Sequence, residues 1–184
     1  MRQQGEGGRI VLIGSITGQR GNFGQGNYAA AKVGIAGMAR TWTLECARSH
    51  ITVNAIVPVA MTQMVATMPA LAPYAQAVER GEPLPASIRQ GLGLGLPDDV
   101  APLLVYLASA HADGITGQCI GIGGDKLSLW SHPTEARVAL REGGWDAEAI
   151  ARAWSTSVGQ RLESFGDEIK IPGAGSPAPG APPG

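Results

Sequence analysis

The hydrophobic period of this chain switches twice between Gly8 and Val57, and that switch confines it to an α/β architecture. Gly8 to Gly14, GRIVLIG, is a short apolar, β-branched run stopped by glycine, the pattern of a buried strand. From about Asn27 to Arg48 the period becomes helical, with Ile35, Ala39, Trp42 and Cys46 on one apolar stripe. After a short turn at Ser49 and His50, Ile51 to Val57 is again rich in β-branched residues. Strand, long helix and strand make the repeating unit of a parallel sheet. In open sheets of that kind, ligands collect at the carboxyl ends of the strands.

Ser15 follows the first strand directly, thirteen residues before Tyr28, which is itself four before Lys32. Residues four apart in a helix project over the same patch of surface, so the Lys32 ammonium can approach the Tyr28 phenol. A free tyrosine titrates near a pKa of about 10 and relays protons poorly at neutrality, but a neighbouring cation favours the phenolate. Tyr28 is then a candidate general acid or base for a carbonyl or alcohol oxygen, and Ser15 can hydrogen-bond that same oxygen. Hydride for such a reaction has to come from a cofactor. Each residue also has a plain structural reading: Ser15 as a solvated loop serine, Tyr28 as a helix-start aromatic, Lys32 as a surface charge. Only the joint arrangement points to chemistry. Asn54, polar within an apolar strand, reads as a group that satisfies local backbone.

The segments G-R-I-V-L-I-G-S, N-Y-A-A-A-K and I-T-V-N-A-I-V-P, in that order and at that spacing, resemble the short-chain dehydrogenases/reductases, nicotinamide-dependent oxidoreductases on a Rossmann fold. The resemblance implies that Tyr28 is the acid/base, that Ser15 orients substrate, and that Lys32 binds the nicotinamide ribose hydroxyls as well as tuning Tyr28. It implies NAD or NADP as cofactor, with Tyr28, Lys32, Pro58, Val59 and Thr62 as contact residues. Val59 stands where most members carry glycine after the strand, so glycine's backbone freedom is missing there. The family's G-x-x-x-G-x-G turn, its adenosine-ribose selector and its N-A-G strand do not precede Gly8. The expectation is therefore a truncated chain. Residues 1–125 would form the C-terminal part of a Rossmann-type doubly wound parallel sheet, about three strands, that binds NAD(H) or NADP(H) weakly or not at all by itself.

Met61 to Leu96 lacks clear periodicity, and Pro69, Pro73, Pro83 and Pro85 suggest short helices and loops, either a linker or the variable substrate-covering segment that the family carries here. Pro97-Asp98-Asp99 opens another helix, with Val100, Leu103, Leu104 and Leu107 facing inward and Pro102 near enough to the start to be tolerated. Gly117 to Gly124, GQCIGIGG, reads as a last strand ending in a glycine turn. Its glycines imitate a phosphate loop only superficially, because no helix clearly opens behind them.

Residues 126–171 read as a helical C-terminal extension. K-L-S-L-W-S-H-P, R-E-G-G-W-D-A-E-A-I-A-R-A-W and I-V-P-V-A-M-T-Q-M resemble one branch of the family, similar to bacterial relatives of the hydroxyacyl-coenzyme A dehydrogenase unit in the peroxisomal multifunctional enzyme of β-oxidation. The substrate class this implies is a 3-hydroxyacyl or 3-oxoacyl thioester. Trp130, Trp145 and Trp154 read independently as anchors of a docking helix, and Asp146 to Trp154 as a short helix capped by Asp146. Residues 172–184 are only Pro, Gly, Ala and one Ser, which cannot bury a core and are expected to be disordered.

A formal charge of −1 with 16% charged residues leaves no electrostatic footprint for nucleic acid. The start, MRQQGEGGR, has no apolar signal core, and no apolar run reaches membrane-spanning length, so the expectation is a cytoplasmic protein without a membrane partner. Cys46 and Cys119 read as buried thiols, and His50, His111 and His132 share no ligand spacing with them, so no metal is expected. The family resemblance implies a homo-oligomer when the protein is complete. Two other readings stand beside the oxidoreductase. One is a noncatalytic remnant or interaction module derived from the family. The other is the epimerase and dehydratase branch, which the compact Y-A-A-A-K and the thioester-type tail disfavour.

Overall fold

The computed structural model describes residues 1–166. They fall into two compact units, Met1–Trp130 together with Gly166, and Ser131–Phe165. In the first unit β1 (Gly8–Ile13), β2 (Ile51–Pro58), β3 (Cys119–Gly123) and β4 (Lys126–Trp130) form one sheet in that order. The first three strands are parallel, with Gly8 opposite Ile51 and Ala55 opposite Cys119, so their carboxyl ends lie on the same side. β4 returns antiparallel, Ser128 facing Gly121.

This is the expected α/β sheet of Rossmann type, with one strand more than the three expected. Lys126–Trp130, read from the sequence as the start of the extension, is that strand. Gly124, at φ +51°, lets the chain turn back, and a side chain there would strike the carbonyls of Arg89 and Leu94.

Helices α1 (Ile16–Arg20), α2 (Gly26–Cys46), α3 (Gln63–Ala66), α4 (Ala72–Glu79) and α5 (Pro97–Ala108) complete the unit. On one face of the sheet, Ala36, Ala39 and Cys46 of α2 are buried against Ile51, Val53, Ala55, Val57 and Cys119, with Ile35 and Trp42 at the margin. On the other face, Leu103 and Leu107 of α5 cover Ile56, joined by Val11, Ile120 and Ile122. Helices on both faces explain why β2 is buried from Ile51 to Val57 without a break rather than on alternate residues. Residues 61–96 have a small core of their own, in which Met61, Leu71, Ala75, Leu84, Ile88 and Leu94 meet.

In the second unit α6 (Ala147–Ala153) is capped as expected: the Asp146 carboxylate accepts from the Ala149 amide at 2.8 Å. Residues 167–184, including the tail expected to be disordered, lie outside the described residues. Among the described residues no helix is long and apolar enough to cross a membrane.

Candidate active site

β1 ends where the site begins. The Gly14 amide donates to the Ile56 carbonyl at 2.7 Å, which keeps the chain against β2 one residue beyond the strand. Ser15 is extended and serves as the N-cap of α1, its Oγ accepting from the Thr17 amide at 3.2 Å. Capping of this kind satisfies one of the free amides at a helix start. It occupies a lone pair of Oγ and leaves the hydroxyl proton able to donate elsewhere. Buried Thr17 donates from its own hydroxyl to Gln25 Oε1 at 3.1 Å, so α1 is also tied to the residue that precedes α2.

Tyr28 and Lys32 lie in the first turns of α2. Lys32 Nζ donates to the Ile13 carbonyl at 2.8 Å and stands 5.6 Å from the centre of the Tyr28 ring. That separation is within reach of a cation–π attraction. The ammonium therefore joins the tyrosine to the last residue of β1, two positions before Ser15. No hydrogen bond links Ser15 with Tyr28, a residue 43% exposed. One Lys32 proton is used on Ile13, which leaves two for a ligand.

Pro58, Val59 and Thr62 gather at the carboxyl end of β2. The Val59 amide donates to the Ile122 carbonyl at 2.9 Å, and its carbonyl accepts from the Gly95 amide at 3.3 Å, so its backbone polar groups are spent inside the protein. Glycine's freedom is not needed there, because Val59 continues the parallel pairing beyond Pro58. Exposed Thr62 caps α3, its hydroxyl oxygen accepting from the Val65 amide at 3.4 Å.

Two features escaped the sequence reading. Gly18, in the middle of α1, lies directly against the backbone of Lys32 and Val33. A shallow cleft beside the same strand ends is lined by Ile16, Val57, Val59, Gly121, Gly123 and Trp130, and is not lined by Tyr28 or Lys32. Trp130 Nε1 is buried there without a hydrogen-bond partner. The alternate glycines of G-I-G, on the strand that faces Trp130, were the available signal for it.

Residues 1–124 match the family model described as Enoyl-(Acyl carrier protein) reductase. Over 119 residues the chain is 40% identical to a 3-oxoacyl-acyl-carrier-protein reductase of Thermotoga maritima, covering 64% of this chain and 44% of that protein. It is 42% identical over 121 residues to an acetoacetyl-CoA reductase of Shinella zoogloeoides, covering 65% and 47%. The chain thus spans about half the length of the curated relatives it matches. Among solved structures, a short chain dehydrogenase from Mycobacterium avium overlays with a TM-score of 0.64 at 28% identity, over 86% of this chain and 49% of that one. The full-length peroxisomal multifunctional enzyme type 2 of Drosophila melanogaster overlays with a TM-score of 0.60, also at 28% identity, over 84% and 25%. With the strand order, the helix covering each face and these matches in agreement, the chain belongs to the short-chain dehydrogenase/reductase family.

Proposed function

We propose that the protein is a nicotinamide-dependent oxidoreductase that interconverts a 3-hydroxyacyl and a 3-oxoacyl thioester, with Tyr28 as its acid/base. The observation that carries this reading is the Lys32 ammonium, bonded to the end of β1 and set beside the Tyr28 ring. Tyr28 would give its phenolic proton to the substrate carbonyl oxygen in reduction and recover it from the alcohol in oxidation. Ser15, held by α1, would donate its free hydroxyl proton to the same oxygen and fix its position. NAD or NADP supplies or accepts the hydride when bound. Its nicotinamide-ribose end fits the residues present: Lys32 keeps two donors, Thr62 and Tyr28 expose hydroxyls, and Pro58 and Val59 form a firm apolar wall. The thioester class is supported by the names of the relatives, a 3-oxoacyl-acyl-carrier-protein reductase and an acetoacetyl-CoA reductase.

A second reading, an interaction module without catalysis, draws on the outer edge of β1, which no strand of the described residues pairs. One assay separates the two. The chain is incubated with millimolar NADH or NADPH and acetoacetyl-CoA, alone and mixed with the amino-terminal half of the Thermotoga relative, and absorbance at the reduced-nicotinamide band is followed. Thioester-dependent oxidation of the cofactor is expected in the mixture, and Tyr28→Phe is expected to lower kcat by about 10²- to 10⁴-fold. Full activity of Tyr28→Phe would refute its role as the acid/base, and no turnover in either sample would favour the interaction module.

A further inference from the structure

We infer that Gly18 is a positioning residue, the point at which α1 is set against α2 so that Ser15 stands in register with Tyr28 and Lys32. The inference rests on the catalytic reading of those three residues and extends it to a residue that touches neither substrate nor cofactor. Gly18 has an ordinary helical backbone, so conformational freedom does not account for glycine there. Space does. A Cβ at this position would lie 2.6 Å from the Lys32 carbonyl carbon, 2.7 Å from the Val33 amide nitrogen and 2.9 Å from Lys32 Cβ. The first two are backbone atoms in the first half of a 21-residue helix and cannot swing aside as a side-chain end would.

The contact closes a loop. The Gly18 amide donates to the Ser15 carbonyl at 3.0 Å, Gly18 presses on Lys32, and Lys32 Nζ reaches back to Ile13 at 2.8 Å. Ile13 and Ser15 are joined through Gly14 alone. Non-bonded carbons settle at roughly 3.5–4.0 Å, so a methyl group at position 18 forces α1 and α2 apart by about 1 Å. A 2.8 Å hydrogen bond stretched by about 1 Å is no longer one. Gly18→Ala therefore separates the serine from the tyrosine and frees the Lys32 ammonium, without altering any group that does chemistry. Gly34, also within α2, has nothing within 4 Å of where its Cβ would be, and it serves as the matched control.

The test uses the whole chain labelled for nuclear magnetic resonance. Wild type is expected to show a strong nuclear Overhauser effect between a Gly18 α-proton and the Val33 amide, and a slowly exchanging Lys32 ammonium signal. Gly18→Ala loses the ammonium signal while the amide signals of the sheet persist, and Gly34→Ala keeps both. In the mixed-halves assay Gly18→Ala lowers kcat about a hundredfold with KM within about threefold, the split expected of misplaced groups rather than of a lost binding site. An unchanged ammonium signal in Gly18→Ala overturns the proposal. If that variant does not fold, the wild-type spectrum decides: absence of the Gly18–Val33 effect overturns it and presence supports the contact. The ammonium readout needs no cofactor or substrate, so it stands or falls separately from the Tyr28→Phe result.

Discussion

Asn54 sits in the middle of β2 at 1% exposure with both ends of its amide in use. Its Nδ2 donates to the Ile115 carbonyl at 2.7 Å and its Oδ1 accepts from the Gln118 amide at 3.0 Å. Beside it Thr116 Oγ1 accepts from the Val53 amide at 3.0 Å and pairs with the Thr43 hydroxyl at 2.9 Å. These bonds stitch the loop before β3 onto β2. Asn54→Ala strips a half-buried carbonyl and a half-buried amide of their partners, so it is expected to lower unfolding free energy by about 1–3 kcal/mol, read as an earlier urea midpoint at unchanged slope. A loss below about 0.5 kcal/mol, the range of ordinary surface substitutions, would contradict that role. The structural role of Asn54 was legible because polar groups inside apolar strands need partners; which partners was not, since they lie 61 and 64 residues away. The same divide runs through the candidate site. The Tyr28–Lys32 juxtaposition is a one-turn rule and could be read directly, whereas the Lys32 bond to Ile13 and the seat of Gly18 depend on how α1 crosses α2.

Among the elements, the π-helical turn Ser87–Leu92 ties residues 61–96 to α5 and to the β3–β4 turn. Its Arg89 grips the Asp99 carboxylate with two nitrogens at 3.1 Å each and reaches Asp125, in the β3–β4 turn, at 2.7 Å. Asp99 also accepts from the Leu96 amide at 2.6 Å, capping α5. The Arg89 hydrogen bonds first, and the Leu96 amide second, hold the Asp99 carboxyl below the usual carboxylate range. A lowered folded pKa means that ionised Asp99 stabilises the fold in full above the unfolded value of about 4. That contribution disappears as pH falls through the lowered folded value. The urea midpoint is expected to drop as pH falls below the unfolded value of about 4, and Asp99→Asn to start lower at neutrality and show a flatter acid limb. An equally steep limb in Asp99→Asn would place the acid sensitivity elsewhere. Two elements were hidden in the sequence for physical reasons. α1 is five residues long with glycine at its centre, too short and too poor a helix former to show a period, and it stands on the Ser15 cap and its packing. β4 does alternate, but Leu127 and Leu129 are 68% and 66% exposed while Lys126, Ser128 and Trp130 line the cleft side, so its polarity pattern points to the wrong face.

At the scale of the whole molecule, α2 was legible because it is long and turns a stripe that includes Ala36, Ala39 and Cys46 to the core, and β2 because it is covered on both faces. The order of strands was legible only as far as parallel neighbours follow one another in sequence. What the described fold offers a dinucleotide is correspondingly uneven. On the proposed reading, Lys32 and Tyr28 of α2 and Thr62 after β2 would meet a nicotinamide ribose beside the carboxyl ends of β1 and β2. A pyrophosphate is held differently, by a glycine-rich turn that leads from a parallel strand into the start of a helix. The one glycine-rich strand end of the described residues, Gly121 to Gly124, leads into β4, an antiparallel strand, so its amides are not backed by a helix dipole. Half of a dinucleotide's contacts cannot supply the affinity of the whole, since binding terms of even about 3 kcal/mol are worth roughly a hundredfold. Titration of the chain with NADH or NADPH in a calorimeter is therefore expected to give a dissociation constant above about 100 μM, near −5.5 kcal/mol. The same titration with the amino-terminal half of a relative present should tighten it. A low-micromolar constant for the chain by itself would mean that residues other than Lys32, Tyr28 and Thr62 hold the phosphates, and the division of labour between the strand ends and the glycine-rich turn would have to be redrawn.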